Sequence, residues 1–391
     1  MINVNDAIAL VDKTANISVP VEMELIQALD HVLGEDIYSP INMPPFDQSA
    51  MDGFAVNFDS KITTYKVIGE IPAGSGELFE LQKGEAVRIF TGAAVPNSAN
   101  TVVQQEIVSV EGNTITFTEE IKENSNIRPF GEQIKTGELA IEKGTHLTPG
   151  AIGFIATLGI TKVKVHPNPT VAILTTGNEL VKPGNPLTFG KVYESNSLML
   201  EAAFRAAGIK TIKHVAIEDD YEKTEVAIRD AFKEYDLLIL SGGISVGEYD
   251  FVGKALLQLG VEQIFYKVNQ KPGKPLFFGK KENKLVFALP GNPAAALTSF
   301  YVYILPTLNK MAGKGFRGCR EIEARLTHSF IKKGSRAGIL KAQACNDEVV
   351  IMGAQSSAML SSFANANALV IIPSETTEIK KGEKVKTLLL P

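Results

Sequence analysis

Apolar residues recur along this chain in three rhythms, and each rhythm occupies its own stretch. Near the start, Val4, Ala7, Ile8 and Val11 fall at three- and four-residue spacing, which predicts an amphipathic helix over residues 3–15. The same reading predicts a second helix over 22–33, closed by Gly34. From about residue 65 to 142 the period shortens towards two. There Glu85-Ala86-Val87-Arg88-Ile89, Thr101-Val102-Val103-Gln104 and Asn113-Thr114-Ile115-Thr116-Phe117 read as strands, parted by turns such as Pro72-Ala73-Gly74 and Pro96-Asn97. Helical spacing returns over 149–158 and stops at Gly159. A strand at 163–165 then runs into His166-Pro167-Asn168-Pro169, a natural boundary.

Beyond residue 169 strand and helix alternate. Strands are predicted at 171–174, 214–217 and 236–240, and helices at 196–207 and 221–234. A further helix begins near Tyr249, with Phe251, Val252, Ala255, Leu256 and Leu259 on one face. A hairpin joins 275–278 to 285–287, and a helix over 294–311 completes the unit. Such alternation implies a parallel sheet with helices on both sides. After Gly318 short strands dominate again, at 321–326, 338–344, 349–352, 368–372 and 384–390, and they suggest a small β-barrel or sandwich. The expected fold class is therefore multidomain α/β: a central parallel-sheet α/β domain, a β-rich domain, a mixed N-terminal domain and a small C-terminal β-barrel.

Composition narrows the function classes. A chain of 391 residues is long enough for roughly two to four domains. A formal net charge of −5 speaks against a general nucleic-acid binder, because phosphate-tracking proteins carry a basic excess. The two cysteines, Cys319 and Cys345, and the five histidines show no metal-ligand spacing, so neither a disulfide framework nor a zinc hydrolase is expected. The first residues lack a basic start and an apolar block, and no run of about 18 apolar residues occurs. A cytoplasmic protein without a membrane span is expected.

Candidate chemistry gathers at strand ends. Leu240-Ser241-Gly242-Gly243-Ile244-Ser245 empties a buried strand into a Gly/Ser loop, and a helix follows at once. Backbone N–H groups there can converge on an anion, with the Ser241 and Ser245 hydroxyls beside them. Asp250 opens the helix, where an acid serves equally as a cap or as a magnesium ligand. Lys271-Pro272-Gly273-Lys274-Pro275 holds two lysines on a stiff turn, with Lys267 just before it; this pattern suits phosphate or another oxyanion. Leu289-Pro290-Gly291-Asn292-Pro293 joins a further strand to a helix, with Pro293 at a favoured first position. In Thr176-Gly177-Asn178-Glu179-Leu180, Glu179 follows a strand end and is a candidate metal ligand. Loops converging at one edge of an open sheet mark a nucleotide-like or phosphate ligand. Residue types alone make neither Ser49-Ala50-Met51-Asp52-Gly53 nor Arg88 to Pro96 catalytic; Asp52-Gly53 reads equally as a turn.

Taken together, and in order, several segments resemble the MoeA and gephyrin E-domain family. They are Pro45 to Ala55, Gly69-Glu70-Ile71-Pro72-Ala73-Gly74, Arg88 to Pro96, Asn126-Ile127-Arg128-Pro129-Phe130-Gly131-Glu132, Thr176 to Leu180, Ser241 to Asp250, Lys271 to Pro275 and Leu289 to Pro293. The resemblance spans nearly the whole chain. It implies insertion of molybdenum from molybdate into adenylated molybdopterin, with loss of AMP and a magnesium requirement. It also implies an elongated homodimer of four-domain subunits: a mixed N-terminal domain (1–43 and 131–168), a β-rich domain (44–130), a molybdopterin-binding type α/β domain (169–315) and the C-terminal barrel (316–391). The adenylyltransferase of the same pathway becomes a candidate partner.

Carried over position by position, the resemblance assigns catalytic roles to Asp250, Asp219, Asp52, Lys271 and Lys274, and metal ligation to Glu179 and Asp250. It implies substrate contacts at Ser241, Gly242, Gly243, Ser245, Thr91, Lys267, Pro290, Gly291, Asn292, Pro293, Arg336 and Ser357. Three positions depart from the usual pattern: Gln133 and Asn178 stand where an acid is common, and Ala295 where a serine is common. The competing readings are molybdopterin adenylylation and a scaffold of gephyrin type. The long N-terminal region speaks against the first, and no partner-recognition motif supports the second.

Overall fold

The computed structural model describes residues 1–244 and 251–391. By compactness the chain divides into two units, one of residues 1–21 and 165–391, the other of residues 22–164. Among the described residues no helix is long and apolar enough to cross a membrane.

The unit of residues 22–164 is dominated by a six-stranded sheet containing Gly53–Val56, Thr64–Ile71, Glu85–Ile89, Thr101–Gln104, Val108–Glu111 and Thr114–Phe117. Alternation sends neighbouring side chains to opposite faces, and both faces are covered. Ala55, Val87 and Val102 lie in one apolar cluster, while Phe54, Val56, Ala86 and Val103 lie in another. The helix expected over 22–33 is absent. A 3-10 turn, Leu25–Ala28, stands between short strands ending at Glu24 and beginning at Val32. Leu25, Ala28, Val32 and Leu33 are buried as a helix would bury them, but Asp30 has φ of 65°, which no right-handed helix accommodates. Pairing with the strand Lys162–His166 overrides the helical spacing.

In the other unit, helix α1 (Val4–Thr14) is capped by the Asn3 side chain, which accepts from the Asp6 N–H, and its buried face carries Val4, Ala7 and Val11. Helix α2 (Pro149–Thr157) belongs to the unit of residues 22–164. The α/β sheet comprises β1 (Val171–Thr176), β2 (Ile212–Ile217), β3 (Leu237–Ser241), β4 (Glu262–Tyr266), β5 (Phe277–Lys281) and β6 (Lys284–Leu289), in the order β2-β1-β3-β6-β5-β4. All run parallel except β5, which is antiparallel to both its neighbours. Strands β1, β3 and β6 are buried on both faces, hence their unbroken apolar runs. Helices α3 (Asn196–Ala206), α4 (Tyr221–Glu234), α5 (Phe251–Gln258) and α6 (Pro293–Ser299) cover the sheet. The first and last contribute to one core cluster, and α4 and α5 to the cluster on the other face.

After α6 the helical path widens into a π-helical turn, Phe300–Ile304, before Leu305–Met311. Pro306 has no N–H to offer the preceding turn, and a wider turn is a common way past such a gap. Strands β7 (Arg320–Leu326), β8 (Ala337–Cys345), β9 (Glu348–Ile351), β10 (Ala368–Ile372) and β11 (Lys384–Leu389) pair in the order β8-β9-β7-β11-β10, and β10 pairs back to β8. The barrel is closed, so no edge remains. Ala337, Ile339, Leu369 and Leu388 extend the α/β core cluster into it, and the short strand Gln270–Lys271 pairs with β8.

Candidate functional site

Because β1, β3 and β6 are parallel and in register, Ser241 lies opposite both Thr175 and Leu289. The loops that leave these strands therefore emerge side by side. Gly242 turns at φ 94° and Gly243 at φ 63°. A Cβ on Gly242 would lie 2.4 Å from the Thr176 carbonyl oxygen, so only glycine permits this approach. Ser245 and Asp250 lie outside the described residues. Pro290 is buried, whereas Gly291 and Asn292 are exposed at the mouth of the neighbouring loop.

The lysine loop reaches the same edge because β5 begins where β4 ends. Lys267 donates its N–H to the Leu276 carbonyl, and Val268 donates to that of Lys274. This zips the Lys267 and Lys274 backbones together. The Lys267 ammonium lies 4.7 Å from the Tyr266 ring centre, and Lys271 and Lys274 are exposed. Beneath them, buried Gln270 donates from Nε2 to the Gly273 carbonyl at 3.2 Å and accepts from the Tyr303 hydroxyl. Gly273 approaches α6 so closely that a Cβ there would lie 3.7 Å from the Ala295 Cβ. Ala295, one of the departures noted above, is thus a small residue under the lysine loop.

The barrel also contributes. Arg336 donates to the Gln270 carbonyl at 3.4 Å, next to Lys271. The Ser357 carbonyl accepts from the Ala294 N–H at 3.1 Å, in the first turn of α6. Lys341, only 4% exposed, donates to the carbonyls of Ser356 and Met359, and so pins the loop that carries Ser357. Burial holds the Lys341 ammonium below its ordinary pKa.

On the other side of the Gly/Ser loop, Asp219 and Asn178 clasp each other. The Asn178 N–H donates to Asp219 Oδ2 at 3.0 Å, and the Asp219 N–H to Asn178 Oδ1 at 3.2 Å. Lys191 donates to the Asn178 carbonyl at 2.5 Å. Glu179 is exposed beside them. A cavity of about 860 Å3 opens here, lined by Thr175, Asn178, Lys191, Glu194, Ser197 and His214 among others.

In the unit of residues 22–164, Asp52 and Thr91 are brought together across 39 positions of sequence. Asp52 Oδ1 accepts from the Thr91 N–H at 2.8 Å and from its hydroxyl at 2.7 Å. The backbone donor first, then the hydroxyl, hold the Asp52 carboxyl below its ordinary pKa. Gly53 is required next to it, because a Cβ would stand 2.0 Å from the Val103 carbonyl oxygen. Sequence reasoning passed over Glu194, Asn196, Gln270 and Tyr303. Of these only Glu194-Ser195-Asn196-Ser197 carried a signal, as a cluster of capping residue types at a predicted helix start.

A Gly/Ser loop, a lysine turn and a Pro-Gly-Asn-Pro wall at one edge of a mostly parallel sheet define a multidomain protein whose α/β domain gathers its candidate chemistry at that edge. Comparison with known proteins agrees in every part of the chain. Residues 2–159 match the model of the MoeA N-terminal region (domain I and II), 172–310 that of the Probable molybdopterin binding domain, and 323–390 that of the MoeA C-terminal region (domain IV). Molybdopterin molybdenumtransferase of Haemophilus influenzae is 37% identical, over 93% of this chain and 92% of that protein. The protein of the same name from Staphylococcus epidermidis is 33% identical, over 94% and 91%. The crystal structure of a molybdopterin biosynthesis MoeA protein from Pyrococcus horikoshii superposes with a TM-score of 0.83 at 31% identity, covering 100% of this chain and 99% of that one. The chain belongs to the MoeA family of molybdopterin molybdenumtransferases.

Proposed function

We propose that this chain inserts molybdenum from molybdate into adenylated molybdopterin and releases AMP. The observation that carries the reading is the convergence of the Gly/Ser loop, the lysine loop and the Pro290 to Pro293 wall at one sheet edge, in a chain whose relatives bear the name molybdenumtransferase. Molybdate and the phosphates of the pterin nucleotide are both oxyanions. Lys267, Lys271, Lys274 and Arg336 supply cations for them, and Ser241, Gly242 and Gly243 supply short-range donors. Pro290, Gly291, Asn292 and Pro293 bound the pocket, with Ser357 behind them. Ser245 and Asp250 complete the loop in this reading. Asp52 and Thr91 serve as a fixed carboxylate and its positioning hydroxyl.

A magnesium ion fits the acids at this sheet edge. Magnesium needs only one or two protein carboxylates beside phosphate and water; Glu179 and Asp250 are its ligands in this reading, and Asp219, oriented by the Asn178 N–H, stands on the loop next to that of Glu179. When bound, the ion offsets charge on the phosphoanhydride being cleaved. The residues of the chain do the rest: lysines draw the incoming oxyanion, and loop N–H groups fix the phosphates against which the AMP phosphate departs. We further propose a cytoplasmic homodimer divided into the four domains set out above, with the adenylyltransferase of the pathway as a transient partner.

The test is molybdate-dependent AMP release from adenylated molybdopterin by the purified protein, with and without magnesium. Release that requires both ions is the expected result. A folded protein that releases no AMP under any of these conditions overturns the reading.

A further inference from the structure

Helix α3 begins with a cluster of polar residues whose hydrogen bonds are unusually divided. Its N-cap residue, Ser195, makes no side-chain capping bond. Glu194 does that work from one position earlier: its carboxylate accepts from the Ser197 N–H at 2.9 Å and from the Ser197 hydroxyl. Asparagine at a helix start ordinarily spends its side chain on the cap. Asn196 is released from that task and reaches across to the sheet edge instead.

There its amide nitrogen donates twice, to Ser241 Oγ at 2.8 Å and to the Gly291 carbonyl at 2.8 Å. One side chain, 8% exposed, thus bolts the Gly/Ser loop to the Pro-Gly-Asn-Pro loop. The chemistry of the bolt matters more than its stiffness. A serine hydroxyl has one hydrogen to give and two lone pairs to receive with. Because Asn196 donates to Ser241 Oγ, the Ser241 hydrogen points elsewhere, and among the described residues it has no acceptor. Among these residues Ser241 is an unspent donor. Two further polar atoms nearby, Asn196 Oδ1 and Thr176 Oγ1, are buried without a hydrogen-bond partner among the described residues. A buried polar atom left open is costly, and a site that completes itself on a ligand is where such a cost is retained.

We propose that Asn196 is a positioning residue for the transfer reaction: it fixes Ser241 as a hydrogen-bond donor to a substrate phosphate and sets the gap between the two loops. The proposal rests on the function proposed above and adds a residue to it. It predicts a specific asymmetry. In Asn196→Asp the new carboxylate accepts where the amide donated, so the Ser241 hydrogen turns inwards and the Gly291 carbonyl faces negative charge.

The experiment measures the Kd of adenylated molybdopterin by calorimetry, and the KM and kcat of AMP release, for wild type, Asn196→Asp, Ser241→Ala and the double variant between pH 5 and 8. Asn196→Asp is expected to weaken binding on the order of ten- to a hundredfold at neutral pH, the range of a lost hydrogen bond to a charged group. Binding should recover as the pH falls and the introduced carboxyl regains a proton to donate, a trend absent in the wild type. The loss in the double variant should be clearly smaller than the product of the two single losses, since Asn196 acts in part through Ser241. Additive losses, or a pH-independent defect in Asn196→Asp, overturn the proposal and leave a packing role. Should the wild type itself fail to bind adenylated molybdopterin, the proposed function fails instead. Asn196→Gln and circular dichroism of each variant separate misfolding from misplacement.

Discussion

Replacing Gly242 by alanine forces a methyl group to within 2.4 Å of the Thr176 carbonyl oxygen, on a backbone whose φ is +94°. An L-residue held in so sparsely populated a region costs about 1–3 kcal/mol. Relieving the overlap by shifting the end of β1 costs a further ~1–3 kcal/mol, as overpacking does. The unit of residues 1–21 and 165–391 is large enough that about 1 kcal/mol moves a melting midpoint by roughly 2–4 °C. Gly242→Ala should therefore melt at least about 4 °C below wild type in differential scanning calorimetry. Gly291→Ala supplies the control from the same pocket: its new methyl would meet nothing closer than the Gly242 Cα at 3.9 Å, an ordinary contact. That variant should melt within about 2 °C of wild type, as strain-free surface changes do. Equal midpoints for the two variants would refute the loop geometry from which both values are drawn.

Three further outcomes are expected. Asp219→Asn keeps an acceptor for the Asn178 N–H but loses the charge, so the protein should stay folded while AMP release falls at least about tenfold, or ~1.4 kcal/mol of barrier; unchanged turnover removes Asp219 from the mechanism. Burial lowers the Lys341 pKa, so just below the ordinary lysine value the unfolded chain binds more protons than the folded one, and stability must rise with pH there. The wild type should accordingly gain in melting midpoint on Lys341→Met between pH 7 and 10, and a flat difference contradicts the burial of its ammonium. Thr91→Val removes the hydroxyl but not the backbone donor, so the Asp52 pKa should climb part of the way back to 3.8. Carboxyl NMR titration reads this directly; a lowered Asp52 pKa contributes stability above its unfolded value that is lost as pH falls through the folded one, and an unmoved pKa denies the hydroxyl its role.

The α/β portion was legible because period and chain direction agree there: buried runs such as Val171–Thr176 have no polar face, and the helices between them do. The anion loop could be placed from the same logic, since a parallel strand must deliver its C-terminal residues to one edge. What could not be read depends on contacts remote in sequence. Residues 22–33 have helical spacing, yet a partner strand 130 positions away decides their form. Asp52 reads as a turn until Thr91 is folded onto it. Asn196 looks like a cap because only the three-dimensional fold shows Glu194 doing the capping.

The interleaving of the two units sets a timetable for biosynthesis. Helix α1 leaves the ribosome long before Lys310, which donates to Asp12 at 2.6 Å and lies 298 residues later. At about 5–20 residues per second, the apolar face of α1 waits roughly 15–60 s for the helix that covers it. The unit of residues 22–164 is synthesised whole within that interval and can close first. A nascent chain of this protein thus carries an unsheltered amphipathic helix ahead of a finished domain, which makes α1 a segment on which a chaperone, or an aggregating neighbour, takes hold.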